Sequence, residues 1–134
     1  MSPTDPVRPF LEQRGCPPHV VAGGLDGLLH HWESVVEDVE EVYPLGLDDY
    51  LDDMDARQLL EEALAVAPPA ARRAIAPRLK DADARMRELV VPVKRCLWGD
   101  ARARENGWTS ERSWWYFTRP AEPGPDLAEG LGLG

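Results

Sequence analysis

Apolar residues at steps of three and four form one long stripe, and this stripe constrains the fold more than any other feature of the chain. It runs through Val21, Leu25, Leu28, Leu29, Trp32, Val35, Val36, Val39 and Val42. At about 100° per residue these side chains share one side of a helix, while acidic residues and histidines occupy the other. Such a helix must bury its stripe against other elements, so we expect a mainly α-helical bundle. Gly23 and Gly24 predict a break or kink near its start.

Prolines and glycines mark further helices on both sides of this stripe. A short first helix is expected to begin at Pro6 and to end at Gly15. A later helix is expected to begin at the proline pair 68–69 and to end near Pro92. Pro77 lies inside that stretch and predicts a kink or a restart, because proline lacks a backbone donor and clashes with the preceding turn.

The stretch between these helices combines a turn with a change of apolar phase. Residues 43–46, Tyr-Pro-Leu-Gly, have the composition of a turn. The apolar spacing then slips after Met54, and Asp55 with Gln58 has the pattern of a capping box. We therefore expect two consecutive short helices over residues 47–66.

The C-terminal part of the chain changes character, since six of its ten aromatic residues lie between positions 98 and 117. Ser113–Thr118 suits a short strand, which we expect to pair with Val93–Trp98. Many prolines and glycines follow and predict a tail of low order. The expected organisation is one domain of 1–134, with four to five helices over 5–92, an aromatic-rich extended or hairpin segment over 93–119 and a poorly ordered tail over 120–134.

The charge balance excludes several classes of function. The 134 residues include 15 Lys and Arg against 24 Asp and Glu, for a formal net charge of −9. Binding nucleic acid as a bulk ligand needs a basic surplus, so this class is excluded. No apolar run approaches the ~18 residues of a membrane span. Two cysteines and an N-terminus without the apolar region of a secretory signal favour reduced thiols in the cytoplasm.

The charge is unevenly distributed along the chain. Residues 1–66 have 15 acidic and 3 basic side chains, a balance of −12, whereas residues 67–134 have 9 and 12, a balance of +3. Such asymmetry is typical of an acidic interaction face. It is equally compatible with neutralisation of the acidic half by the basic half, and the sequence leaves that alternative open.

The most distinctive motif is an acidic run on one helix, opposite an apolar face. Its carboxylates are Asp48, Asp49, Asp52, Asp53 and Asp55. A calcium loop is not expected, because the spacing of oxygen ligands is interrupted and the central glycine is absent. We predict that these five aspartates bind a basic protein partner, with a merely solvated helix face as the alternative.

The histidines and cysteines predict neither a metal site nor a catalytic one. His30 and His31 are adjacent and would point about 100° apart on a helix, which does not suit zinc. Cys16 and His19 form a Cys-Pro-Pro-His motif, but nucleophilic catalysis also needs an orienting group and an oxyanion site. Cys96 is explained by a small buried position. We therefore expect no metal, no cofactor and no catalytic residue, and a non-enzymatic role.

The aromatic segment supplies a second set of candidate partner-binding residues. Strand alternation would turn Trp114 and Tyr116 towards the helices and Trp115 and Phe117 away from them. Partly exposed aromatic residues are typical anchors at protein interfaces. We therefore add Trp115 and Phe117 to the predicted partner-binding set.

Residues 25–64, with the run GLDDYLDDMDAR and the following LLEE, resemble a group of small, uncharacterised acidic bacterial proteins. In charge, size and helicity the chain also resembles bacterial immunity proteins, which neutralise nuclease toxins. The likeness to immunity proteins implies stoichiometric binding of a basic protein, in an immunity or antitoxin role. One alternative is a small enzyme or ligand-binding protein whose site lies between the helices and the Trp-rich segment. Another is a structural subunit of a larger assembly, with Trp115 and Phe117 buried against neighbours.

Overall fold

The computed structural model describes residues 5–133 and confirms a mainly α-helical fold. The α-helices are α1 (Val7–Gln13), α2 (Pro18–Glu40), α3 (Leu47–Val66), α4 (Pro69–Leu89), α5 (Asp100–Asn106) and α6 (Pro125–Gly130). A short 3-10 helix (Trp114–Phe117) and the strands β1 (Val90–Pro92) and β2 (Thr118–Pro120) complete the fold. Helix α2 packs against α1, α3 and α4. In the described part of the chain, no helix combines the length and apolar character needed to cross a membrane.

Helix α2 is the element that the sequence predicts best. Its apolar stripe is buried from Leu25 to Val39, and Gly24 interrupts the helix with φ 58° and ψ −150°, which confirms the predicted kink. Glycine is suited to this position because a positive φ strains residues that have a Cβ atom. The end of the predicted stripe is wrong, since the helix stops at Glu40 and Val42 is 48% exposed with φ 80°.

Helix α3 is continuous, so the prediction of two short helices over 47–66 is wrong. The apparent slip in phase arises because Arg57, rather than an apolar residue, occupies the core position after Met54 and is only 3% exposed. The predicted capping pair has other partners. The Asp55 carboxylate accepts hydrogen bonds from aromatic side chains, and the Gln58 amide oxygen accepts one from Ser113.

The buried arginine is neutralised at the centre of the bundle. Its Nε and Nη2 atoms donate to the two carboxylate oxygens of Asp83 on α4, at 3.1 and 2.8 Å. The Trp32 indole donates to the same carboxylate at 2.9 Å. The guanidinium of Arg57 also lies 4.3 Å from the ring centroid of Trp115, so α2, α3, α4 and the 3-10 helix meet at this one side chain.

Helix α4 begins as predicted and runs through Pro77 without a restart, but it does not extend to Pro92. Pro77 and Arg73, whose carbonyl loses its helical partner, are both exposed residues, so the interruption lies on the solvent side of the helix. The helix ends at Leu89 because residues 90–92 form β1, which pairs antiparallel with β2 and places Val91 opposite Arg119.

The predicted strand over Ser113–Thr118 is wrong, because most of that segment forms the 3-10 helix. A strand would turn successive side chains to opposite faces, whereas Trp114, Trp115 and Tyr116 are all buried. The segment nevertheless lies beside residues 93–98, its predicted neighbour. The backbone amides of Val93 and Leu97 donate to the carbonyls of Phe117 and Tyr116, at 2.9 and 2.8 Å.

The segment predicted as a poorly ordered tail instead contains α6, which packs on the start of α3. Leu127 of α6 is fully buried. Gly130 allows this close packing, because a Cβ atom there would lie 2.5 Å from the Cβ atom of Leu47. Glycine and proline content was therefore a misleading sign of disorder over 120–133. Gly134, in the same prediction, lies outside the described residues.

Candidate functional site

The five predicted aspartates do not form one uniform face. Asp48, Asp49 and Asp52 are exposed on the first turns of α3, whereas Asp53 and Asp55 are half-buried and hydrogen-bonded within the chain. The prediction of a five-carboxylate docking face is therefore corrected to three exposed carboxylates, which we call the acidic turn. The other two aspartates are structural.

Asp53 connects α3 to the turn before it and to α2. The Tyr43 hydroxyl donates to its Oδ2 atom at 2.6 Å, and the His31 Nε2 atom lies 3.1 Å from its Oδ1 atom. Burial and this hydrogen bond raise the pKa of Tyr43, so its hydroxyl remains the donor. The hydrogen bond to Asp53 raises the pKa of His31, and burial opposes that effect.

Asp55 connects α3 to the aromatic segment. The Trp98 indole and the Tyr116 hydroxyl both donate to its Oδ1 atom, at 2.9 and 2.6 Å. Burial, followed by the hydrogen bond to Asp55, raises the pKa of Tyr116. Trp108 stacks on Tyr116 with the ring centroids 4.0 Å apart. One carboxylate therefore organises three aromatic rings on the flank of α3.

The acidic turn is uncompensated. Among residues 5–133, no basic side chain lies within ion-pair distance of Asp48, Asp49 or Asp52. Burial, together with the charges of Asp55, Asp49 and the other neighbouring aspartates, raises the pKa of Asp52. A raised carboxyl pKa among like charges is the expected sign of a concentrated negative potential.

Three of the five acids of α2 are in the opposite situation, because arginines of α4 pair with them. Arg78 binds Glu33 at 2.6 Å and Asp26 at 2.8 Å, and Arg85 pairs with Glu40. The sequence left open whether the basic half of the chain neutralises the acidic half, and the answer differs between α2 and α3. The basic half of the chain pairs with three acids of α2, and among residues 5–133 it leaves the acidic turn of α3 without a counter-charge.

A cleft of about 1040 Å³ opens beside the acidic turn, between α3, α5 and the loop that joins α1 to α2. Its charged lining includes Asp52, Asp55, Glu62, Glu105, Arg14 and Arg102, and its aromatic lining includes Trp98, Trp108 and Tyr116. Asp52 belongs to both features, so the cleft and the acidic turn are continuous. This is the place, between the helices and the Trp-rich segment, where the alternative interpretation of the sequence put a ligand site.

Both arginines of the cleft have a partner within the chain. Arg14 pairs with Glu62 at 2.5 Å, and the guanidinium of Arg102 lies 4.4 Å from the ring centroid of Trp98. Of the lining carboxylates, Asp52, Asp55 and Glu105 have no cation within ion-pair distance in the described part of the chain, and Asp55 is already bound to two aromatic side chains. The cleft therefore retains a local excess of negative charge.

Sequence reasoning missed α5, which supplies Arg102 and Glu105 to the cleft. The signal was present. Asp100 lies in the first turn of the helix, and Gly107 follows its last residue with φ 71°, as is typical of a helix C-terminus.

The two aromatic residues of the predicted partner-binding set, Trp115 and Phe117, differ in burial. Trp115 is 1% exposed, and its ring lies against the guanidinium of Arg57, so its prediction as an exposed partner-binding residue is wrong. Phe117 is half-buried. The cause is the 3-10 helix, which turns three consecutive aromatic side chains inwards. The alternative of a structural subunit thereby loses one of its two proposed contacts.

The candidate nucleophiles and metal ligands are dispersed. In residues 5–133, no three histidine, cysteine or acidic side chains are arranged to hold a metal ion. Cys16 lies half-buried at the edge of the cleft, and Cys96 is buried. Burial raises the pKa of the Cys96 thiol, which disfavours its reactive thiolate form.

Comparison with known proteins adds no relative to this picture. No family model matches the chain, and no curated protein or solved structure matches it. The resemblance of residues 25–64 to small acidic bacterial proteins, and the likeness of the whole chain to immunity proteins, therefore stay predictions.

Proposed function

We propose that this chain is a non-enzymatic binding protein that docks a basic protein partner through the acidic turn of α3. The observation that carries the proposal is the absence of any counter-ion for Asp48, Asp49 and Asp52 among the described residues. Three acids of α2, by contrast, are paired with arginines of α4. Uncompensated carboxylates attract a cationic partner over long distances and accelerate association.

The most specific form of the proposal is an immunity or antitoxin protein that acts in the cytoplasm. The net charge of −9 and the small helical bundle support it, because a basic toxin would be attracted to the whole molecule and oriented by the acidic turn. Binding of this kind is stoichiometric and requires no catalytic residue.

Charge reversal tests the proposal. A partner is co-purified from native cells, and its affinity is measured at low salt for the triple variant with Asp48, Asp49 and Asp52 changed to Lys. We expect affinity to fall by about tenfold or more, since like charges would then face each other across the interface. The matched control reverses Asp81, Glu111 and Glu122, three exposed acids elsewhere that change the net charge by the same amount.

Two outcomes would contradict the proposal. Unchanged affinity in the acidic-turn variant would show that these carboxylates do not contact the partner. An equal loss in both triple variants would show that only the total charge matters, because the position of the reversal would then have no effect.

The cleft favours a second candidate function, in which the chain is a small enzyme or a ligand-binding protein. The cleft has about the volume of a small-molecule site, and three aromatic rings line it beside six charged side chains. Trp98 and Trp108 line the cleft, so a bound ligand should change the tryptophan fluorescence. A saturable change during titration with metals, nucleotides or sugars would favour this function over partner docking alone.

A further inference from the structure

We propose that the cleft beside the acidic turn receives an arginine side chain of the basic partner, so that the docking surface contains a specific guanidinium pocket. This inference rests on the proposed function, which it deepens by naming the group that is recognised. It is carried by the shape of the cleft, its aromatic walls and the groups that the chain itself leaves unused there.

The chain already shows that the cleft accommodates guanidinium groups in two ways. Arg14 binds the carboxylate of Glu62, and Arg102 stacks on the face of Trp98. These are two recurrent modes of arginine recognition, the ion pair with a carboxylate and the cation–π stack. Both residues belong to the cleft lining, so the walls are built for this chemical group.

Some residues of the cleft lining bind neither Arg14 nor Arg102. Within residues 5–133, Asp52 and Glu105 have no cationic partner, and no guanidinium lies over Trp108. Trp108 is half-buried on the wall of the cleft. These three residues line the same cleft, so its lining offers an incoming guanidinium a carboxylate and an indole, the kinds of group that hold Arg14 and Arg102.

The aromatic wall is held in place before any partner arrives. Asp55 accepts hydrogen bonds from Trp98 and Tyr116, and Tyr116 stacks on Trp108 at 4.0 Å. A preorganised wall loses little side-chain entropy on binding, which favours affinity.

Arginine suits this cleft better than the other common ligand groups. A guanidinium is planar, stacks on aromatic rings and bonds carboxylates through two parallel donors, whereas the ammonium of lysine is a compact, strongly hydrated charge. Anionic ligands are disfavoured, since carboxylates outnumber guanidiniums in the lining.

Titration with blocked tripeptides tests the pocket without the partner. Acetylated tri-arginine amide is added to the full chain while tryptophan fluorescence and the indole N–H resonances are followed, and tri-lysine and tri-glutamate amides serve as comparisons. We expect tri-arginine to bind about threefold or more tightly than tri-lysine, and tri-glutamate not to bind. Equal affinity for the arginine and lysine peptides would overturn the inference.

Substitutions in the cleft locate the binding. Glu105→Gln and Trp108→Leu should together weaken tri-arginine binding about tenfold, whereas the exposed control Glu111→Gln should leave it unchanged. Glu105 is exposed, so the single variant Glu105→Gln keeps the test valid if Trp108→Leu disturbs the fold. Tri-arginine binding that is insensitive to both substitutions would overturn the pocket.

The same variants separate this inference from the proposed function. If the partner's affinity depends on the acidic turn but not on Glu105 and Trp108, the guanidinium pocket is wrong and partner docking stands. If the partner's affinity depends on neither, both proposals are wrong. Dependence on both supports the pocket as part of the docking surface.

Discussion

We expect Asp83→Ala to destabilise this protein more than the loss of any exposed carboxylate, because Asp83 is the counter-ion of a buried arginine. Arg57 is 3% exposed and donates two hydrogen bonds to the Asp83 carboxylate, at 3.1 and 2.8 Å. The Trp32 indole donates a third at 2.9 Å. Alanine would leave the buried guanidinium with a single carboxylate, that of Glu61 at 3.7 Å from Nη1. It would also leave a buried indole N–H without its acceptor.

The magnitude follows from these contacts. Removal of one partner of a buried ion pair costs about 3–5 kcal/mol, and an unsatisfied buried donor costs about 1–3 kcal/mol. The Asp83 side chain is 21% exposed, so water can reach the vacated position and recover part of the loss. We therefore expect a loss of about 3 kcal/mol in the free energy of unfolding, or a decrease in Tm of roughly 10 °C.

Urea unfolding followed by far-ultraviolet circular dichroism measures this loss through the midpoint and slope of the transition. The matched control is Asp26→Ala, which removes an acid 2.8 Å from Arg78 on the surface. Both of those side chains are largely exposed, so the control should cost less than about 1 kcal/mol.

A loss for Asp83→Ala no larger than that of the control would refute the reasoning. It would mean that water or another group compensates Arg57 as well as the carboxylate does. The double variant Arg57→Met with Asp83→Leu provides a second check. It removes both charges together and should recover the part of the loss that comes from the unpaired charge, because a buried ion pair contributes little beyond an apolar pair of similar volume. The part that comes from the Trp32 indole N–H should remain, since leucine offers no acceptor.

Two further predictions concern other parts of the bundle. The pKa of His31 is raised above its ordinary value of 6.5 by the hydrogen bond to Asp53, so its extra stabilisation is present below about pH 6.5 and is lost as the pH rises through the folded-state pKa. His31→Gln should therefore lower the free energy of unfolding more at pH 5.5 than at pH 8.5. The difference should be less than about 1 kcal/mol, since the side chain is half-exposed. A loss of stability that does not depend on pH would contradict this prediction. Leu127→Ala should lower the free energy of unfolding, measured in urea, by about 3 kcal/mol, because Leu127 is fully buried. The control Leu133→Ala, at an exposed position, should cost almost nothing. Equal effects of the two substitutions would mean that α6 does not pack on the bundle in solution.

The elements that the sequence predicts correctly are those specified by local spacing. The stripe of α2 and its glycine kink depend on residues within a few turns of one another. The beginning of α4 at its proline pair is likewise a local signal, because proline is favoured in the first turn of a helix.

The errors arise where a distant residue determines what a local pattern means. Arg57 appeared to interrupt the apolar stripe of α3, yet it continues the buried face because Asp83, on another helix, supplies its counter-charge. Trp115 was expected outside because strands alternate, but it lies in the core against the same arginine. Neither the ion pair nor the stack can be read from spacing, since each joins residues more than 20 positions apart.

The candidate site divides in the same way. The sequence by itself determined that acidic residues are concentrated at the start of α3, because composition and helical periodicity specify both their number and their side of the helix. Only the tertiary structure decided which of them are free. Asp53 and Asp55 bind side chains from other elements, and Arg78 and Arg85 of α4 pair with acids of α2 instead of the acidic turn. The physical reason is that the energies of hydrogen bonds and ion pairs depend on distances of a few ångströms between side chains, and those distances are set by how the helices pack.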